Sequence, residues 1–176
     1  MATLQEGLLK FYFPDHWLIS KYDEWPFYKN QFQYSCLGCK AVDFLAFDTE
    51  RKELWLIEVR DYRVHRRSKE ITMWDEMALK TLHTLSGLVA AKVNSTDETK
   101  SFAEHSVACT RLRVVLHLEQ PKHHSKLYPR IFNLADVQQK LRQLLKPIDA
   151  HPRVMEIDRM PNVAWTVNQI GGSQAS

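Results

Sequence analysis

The sequence is short of glycine, cysteine and long apolar runs. Five glycines and seven prolines in 176 residues exclude a collagen-like or linker-like chain. Three cysteines, Cys36, Cys39 and Cys109, are too few, and odd in number, for a disulfide scaffold. No stretch approaches the roughly 18 apolar residues of a membrane helix, so no membrane role is expected. The opening Met-Ala-Thr-Leu-Gln-Glu-Gly lacks the basic-then-apolar order of a signal peptide. With few cysteines and no export signal, a cytoplasmic location is expected. There is no glycine-rich phosphate loop and no Ser/His/Asp set of recognisable spacing. Cys36-Leu-Gly-Cys39 has CxxC spacing, but no second close Cys/His pair completes a structural zinc site, and plain packing is the simpler reading.

What remains is an ordinary globular composition, 44% hydrophobic and 26% charged, in a chain long enough for one core. A single domain over residues 1–165 with a flexible tail over 166–176 is expected. The net charge of +3 is unevenly spread. Residues 1–59 hold 6 Lys/Arg against 9 Asp/Glu, and residues 60–146 hold 16 against 9. A basic stretch beside an acidic one suggests a polyanion held next to a carboxylate site.

Pro26 opens a short helix after an irregular start. Ala41–Asp48 and Leu54–Arg60 read as two strands, apolar on both faces, joined by the four-residue loop Thr49–Lys52. Ile71 to Ala91 reads as a long helix with a stripe of Ile71, Trp74, Ala78, Leu82, Leu85 and Val89. The polar stretch Asn94–Lys100 reads as a loop. Leu112–Leu118 is a buried strand, Asp136–Lys146 an amphipathic helix and Arg153–Ile157 a short edge strand. This order suggests an α/β fold of three αβα layers, a central mixed sheet flanked by helices.

Glu58 stands out, because it follows Leu54-Trp55-Leu56-Ile57 in a strand that should be buried. If Asp48 and Glu53 close the loop, Asp43 lies directly opposite Glu58, with side chains about 4.5–5.5 Å apart on one face. Arg60, two residues on, points the same way. Two buried carboxylates repel unless something positive holds them. Magnesium or manganese would do so and would activate water. Arg60 or Lys40 would do so as a structural ion pair.

An acid in one strand, a short hairpin and then Ile57-Glu58-Val59-Arg60 resembles the PD-(D/E)xK nuclease superfamily, with its restriction-endonuclease-like fold. The resemblance implies metal-dependent phosphodiester hydrolysis of DNA. It implies Asp43 and Glu58 as metal-binding acids, and Val59 as the residue whose carbonyl assists the metal. Arg60 stands in the position of the catalytic lysine. It also implies a further acid from the first helix, Glu24 or Asp23 beside it, and a lysine displaced to the next helix, Lys80 or Lys69. Arginine stays charged and cannot act as a base. A non-cleaving, nuclease-derived domain that binds nucleic acid or protein is therefore the second expectation, and a protein-interaction domain with a structural Arg60–Glu58 pair the third. For DNA contact the candidates are Arg63, Arg66, Arg67 and Lys69 after the second strand, with Lys122 and Lys126 farther along. Oligomeric state is left open, a homodimer included.

Overall fold

The computed structural model describes residues 1–63, 68, 70–122, 127, 131–160 and 162–170. In chain order the strands are β1 (Ala2–Glu6), β2 (Leu9–Phe13), β3 (Trp17–Lys21), β4 (Phe44–Asp48), β5 (Glu53–Asp61), β6 (Arg111–Glu119), β7 (Arg153–Met155) and β8 (Thr166–Gln169). The helices are α1 (Pro26–Asn30), α2 (Met73–Asn94), α3 (Thr99–Val107) and α4 (Leu134–Leu145). The described residues thus form a mixed α/β fold with two sheets and four α-helices. None of these helices is long and apolar enough to cross a membrane.

The larger sheet has the order β3-β4-β5-β6-β7. Its first two junctions are antiparallel and its last two parallel. The β4–β5 hairpin closes as the loop length predicts, with Asp48 opposite Glu53. Asp48 shapes the turn, since its Oδ1 accepts from the Glu50 and Arg51 amides at 3.0 and 3.1 Å.

Alternation along β4 and β5 divides the core in two. Leu45, Phe47, Leu54 and Leu56 face the helices and pack with Met73, Met77, Leu88, Val137 and Leu141. Phe44, Ala46, Trp55, Ile57 and Val59 face the other way, onto Leu9, Phe11, Phe13, Trp165 and Val167. The expected helical cover on that second face is replaced by the three-stranded sheet β1-β2-β8. Thr166–Gln169, expected in the flexible tail, is its third strand, paired antiparallel to β2 because Val167 brings an apolar face to bury. The remaining tail residues 171–176 lie outside the described set.

Three further local expectations change. Thr99–Val107 is helical, with Ala103 buried, although its polar start reads as loop. Trp17–Lys21 is a strand rather than an irregular start. The long helix is real and begins at a Thr72 cap, whose Oγ1 accepts from the Asp75 amide at 3.2 Å. Its buried face, however, is Met73, Met77, Thr81, Thr84, Leu88 and Ala91, rotated one residue, about 100°, from the apolar stripe. Leu82 and Val89 are 50% and 55% exposed. Polar residues win the inward face because each finds a partner: Thr84 Oγ1 accepts from the Val42 amide at 3.1 Å, and Thr81 Oγ1 donates to the Met77 carbonyl at 2.9 Å. Gly87 permits the closest approach, since a Cβ there would lie 1.9 Å from the Tyr22 hydroxyl.

Candidate functional site

Asp43 sits one residue before β4 and continues the hairpin with its side chain. Its Oδ2 accepts from the Val59 amide at 2.7 Å, while its carbonyl accepts from the Tyr22 amide at 3.1 Å. Glu58 lies on the helix-facing side of β5 and is 1% exposed. Lys80 comes down from α2 and donates to both Glu58 oxygens, at 2.7 and 2.9 Å, with Asp43 Oδ1 at 3.7 Å. Arg60 pairs with Glu58 as well, and its Nη2 lies 3.7 Å from Glu76 Oε1. Lys40 Nζ is 3.8 Å from the same Glu76 oxygen. The hairpin and α2 are therefore joined by three carboxylates and three cations in one buried network.

Burial pushes the Glu58 carboxyl up, to about 8, with Asp43 adding to the rise and Lys80 and Arg60 opposing it. Burial works against the Arg60 charge, yet Glu58, Asp43 and Glu76 hold its guanidinium above the usual range. Asp23 is pushed up to about 6, by burial first and by the nearby Asp43 and Glu6 charges after it. Its Oδ1 is buried without a hydrogen-bond partner among the described residues. Glu24 turns outward to Lys21 Nζ at 2.9 Å. Of the two acids the sequence offered there, Asp23 is the one beside the network.

The facing of Asp43, Glu58 and Arg60 is as the strand register predicts, and Lys80 joins them from α2. Glu76 was missed because an acid in a first helical turn reads as a complement to the helix dipole. Among the described residues no group of three or more His, Cys, Asp or Glu side chains is arranged to hold a metal ion. The Lys80 ammonium lies between the two carboxylates, and the Val59 carbonyl accepts from Arg60 Nη1 at 3.3 Å.

The expected nucleic-acid contacts are differently disposed. Arg63 is turned inward, its Nε on Asp61 Oδ1 at 2.9 Å and its Nη1 on Gln169 Oε1 at 2.6 Å. Lys122 Nζ pairs with Asp158 at 2.8 Å. Arg66, Arg67, Lys69 and Lys126 lie outside the described residues. Cys36 and Cys39 are free thiols, and Cys36 is exposed rather than packed.

Compared with known proteins, the chain matches a cysteine–tRNA ligase of Neisseria meningitidis serogroup A / serotype 4A (strain DSM 15465 / Z2491). Identity is 30% over 211 aligned residues, taking in 96% of this chain and 30% of the ligase. The chain is similar to part of a tRNA ligase. It spans under a third of the length of that relative. No family model matches the chain, and no solved structure matches it. The likeness overturns the expectation of a DNA-cleaving nuclease, and the hydrolase and DNA-binding roles that came with it.

Proposed function

We propose that this chain works in tRNA aminoacylation, as a domain that holds tRNA for a cysteine–tRNA ligase. The observation that carries the reading is the alignment of 96% of the chain with 30% of such a ligase. The interior supports a holding role over a chemical one. Its carboxylates are engaged by Lys80, Arg60 and Lys40, so the network locks α2 onto the hairpin.

The fold itself we infer to be restriction-endonuclease-like. The support is an antiparallel β3-β4-β5 unit followed by α2 and the parallel strand β6, with Asp43, Glu58 and Lys80 on one face. In this reading the fold is a scaffold.

Binding of a fluorescently labelled tRNA transcript, followed by anisotropy, tests the function. Saturable binding that weakens with salt is expected. Absence of any binding at about 50 mM salt, where phosphate contacts are strong, overturns it.

A further inference from the structure

We propose that the hairpin end of the larger sheet is the face that grips tRNA phosphates; the assignment rests on the tRNA reading above and names its surface. β5 and β6 are parallel and start level, while β7 joins four residues further along β6. Arg111 is level with Glu53, Arg113 with Trp55, and Arg153 with Val115. Arg51 joins them from the β4–β5 loop. Four arginines from three separate segments thus come to this end of the sheet.

The acids at this rim are mostly buried and committed. Glu53 Oε1 accepts from Arg111 Nη1 at 3.0 Å and lies 3.5 Å from Arg113 Nη2. Asp149 accepts from the Val114 and His151 amides, each at 2.9 Å, and Arg113 Nη1 is 3.9 Å away. Asp48 is used by its own turn. Glu50, the exposed acid, lies 3.9 Å from His16 Nε2. The buried carboxylates anchor the guanidiniums while the cations face solvent: the Arg51 and Arg111 side chains are 78% and 59% exposed.

Two of the arginines also crowd one aromatic ring. The guanidinium carbons of Arg113 and Arg153 lie 5.9 and 5.2 Å from the centre of the same Trp55 ring. Burial and then Arg113 itself lower the Arg153 pKa below its usual range. Arg113 Nε is buried and donates to no acceptor among the described residues. Two shallow clefts meet at Arg111, one lined by Arg51, Glu53 and Thr110, the other by Arg113, Asp149 and His151. The solvent-facing guanidiniums of Arg51 and Arg111, set beside these open clefts, are what an anion would meet. The planar fork of arginine suits phosphate oxygens two at a time. Strands about 4.8 Å apart space the side chains along a backbone, not around one small ion. Such contacts give grip and register without reading bases.

Anisotropy with a labelled tRNA transcript decides the matter, using wild type, Arg51→Ala/Arg111→Ala and, as a control at the opposite end, Lys122→Ala. Losing two phosphate contacts should weaken binding about tenfold and lower the slope of log affinity against log salt by about 1.5. Lys122→Ala should stay within about twofold of wild type, as its ammonium is paired with Asp158. Wild-type affinity and slope in the double variant would overturn this face and leave the tRNA reading standing. No binding by wild type at low salt overturns both. Circular dichroism of the double variant separates lost contact from lost fold; Arg51→Lys/Arg111→Lys should restore most of the affinity.

Discussion

Replacing Lys80 by methionine removes the cation between Asp43 and Glu58 while keeping most of the side-chain volume. Lys80 donates to both Glu58 oxygens at 2.7 and 2.9 Å, and Glu58 is 1% exposed. The cost must therefore depend on whether Glu58 carries a proton. In the native protein its carboxyl is raised to about 8, against about 4.3 in an unfolded chain. Native Glu58 holds its proton longer than the unfolded chain does. The Glu58 contribution to stability is therefore greatest at low pH, falls as pH rises and levels off above about pH 8. Without Lys80 the native value moves higher, so the fall continues beyond that point at about 1.4 kcal/mol per pH unit. At about pH 6, where Glu58 is protonated in both proteins, Lys80→Met should cost about 1 kcal/mol, the worth of a hydrogen bond. At about pH 9.5 a further 1.5 units adds about 2 kcal/mol, for a total near 3. Urea unfolding at the two pH values measures this. Glu58→Gln should lack the alkaline fall, and Glu58→Gln/Lys80→Met should show a pH-independent cost. An equal loss at both pH values in Lys80→Met would refute the coupling.

Divalent metal should behave differently in the two proteins. Wild type, with Lys80 between its carboxylates, should show no magnesium-dependent rise in melting temperature. Lys80→Met should gain one, worth about 2.7 kcal/mol at metal a hundredfold above its Kd; equal stabilisation of both proteins counts against the ammonium as the occupant. At Gly87, alanine gains about 1 kcal/mol of helix propensity but drives a methyl against the buried Tyr22 hydroxyl, a repacking cost of about 1–3 kcal/mol. We expect a net loss in Gly87→Ala by calorimetry, and a smaller one in the Tyr22→Phe background; a more stable Gly87→Ala contradicts the packing.

What could be read in the sequence is what depends on neighbours along the chain. A four-residue loop between apolar runs sets the β4–β5 register, and that register places Asp43 and Glu58 on one face. Glu58 is conspicuous because an acid inside Leu54–Val59 has no cheap explanation. Lys80 is visible only as a lysine just off an apolar stripe. The stripe itself misleads, since hydrophobic periodicity assumes that polar side chains face water, while Thr81, Thr84 and Glu76 are buried here. The small sheet is hidden for another reason. Leu9–Phe13 pairs with Thr166–Gln169, and no local pattern announces a partner from the far end of the chain. The arginine rim is hidden in the same way, because Arg51 nears Arg111, and Arg113 nears Arg153, only through the parallel pairing of β5, β6 and β7.

The same topology decides where a polyanion is attracted. The excess of basic residues between 60 and 146 suggests one basic region beside the acids. The fold divides it instead. Arg60 and Lys80 are spent inside, where with Lys40 they face Asp43, Glu58 and Glu76. These charges are packed against one another, and salt at physiological strength screens what remains beyond about 8 Å. Arg63 and Lys122 are tied to Asp61 and Asp158 at the carboxyl ends of β5 and β6. Arg51 and Arg111, at the opposite end, keep exposed guanidinium above carboxylates that are themselves buried. An approaching phosphate therefore meets these arginines before the carboxylates beneath them, with Glu50 the exposed acid beside them. The conspicuous charges in the interior hold the fold, and the scattered ones on the rim are placed to act at a distance.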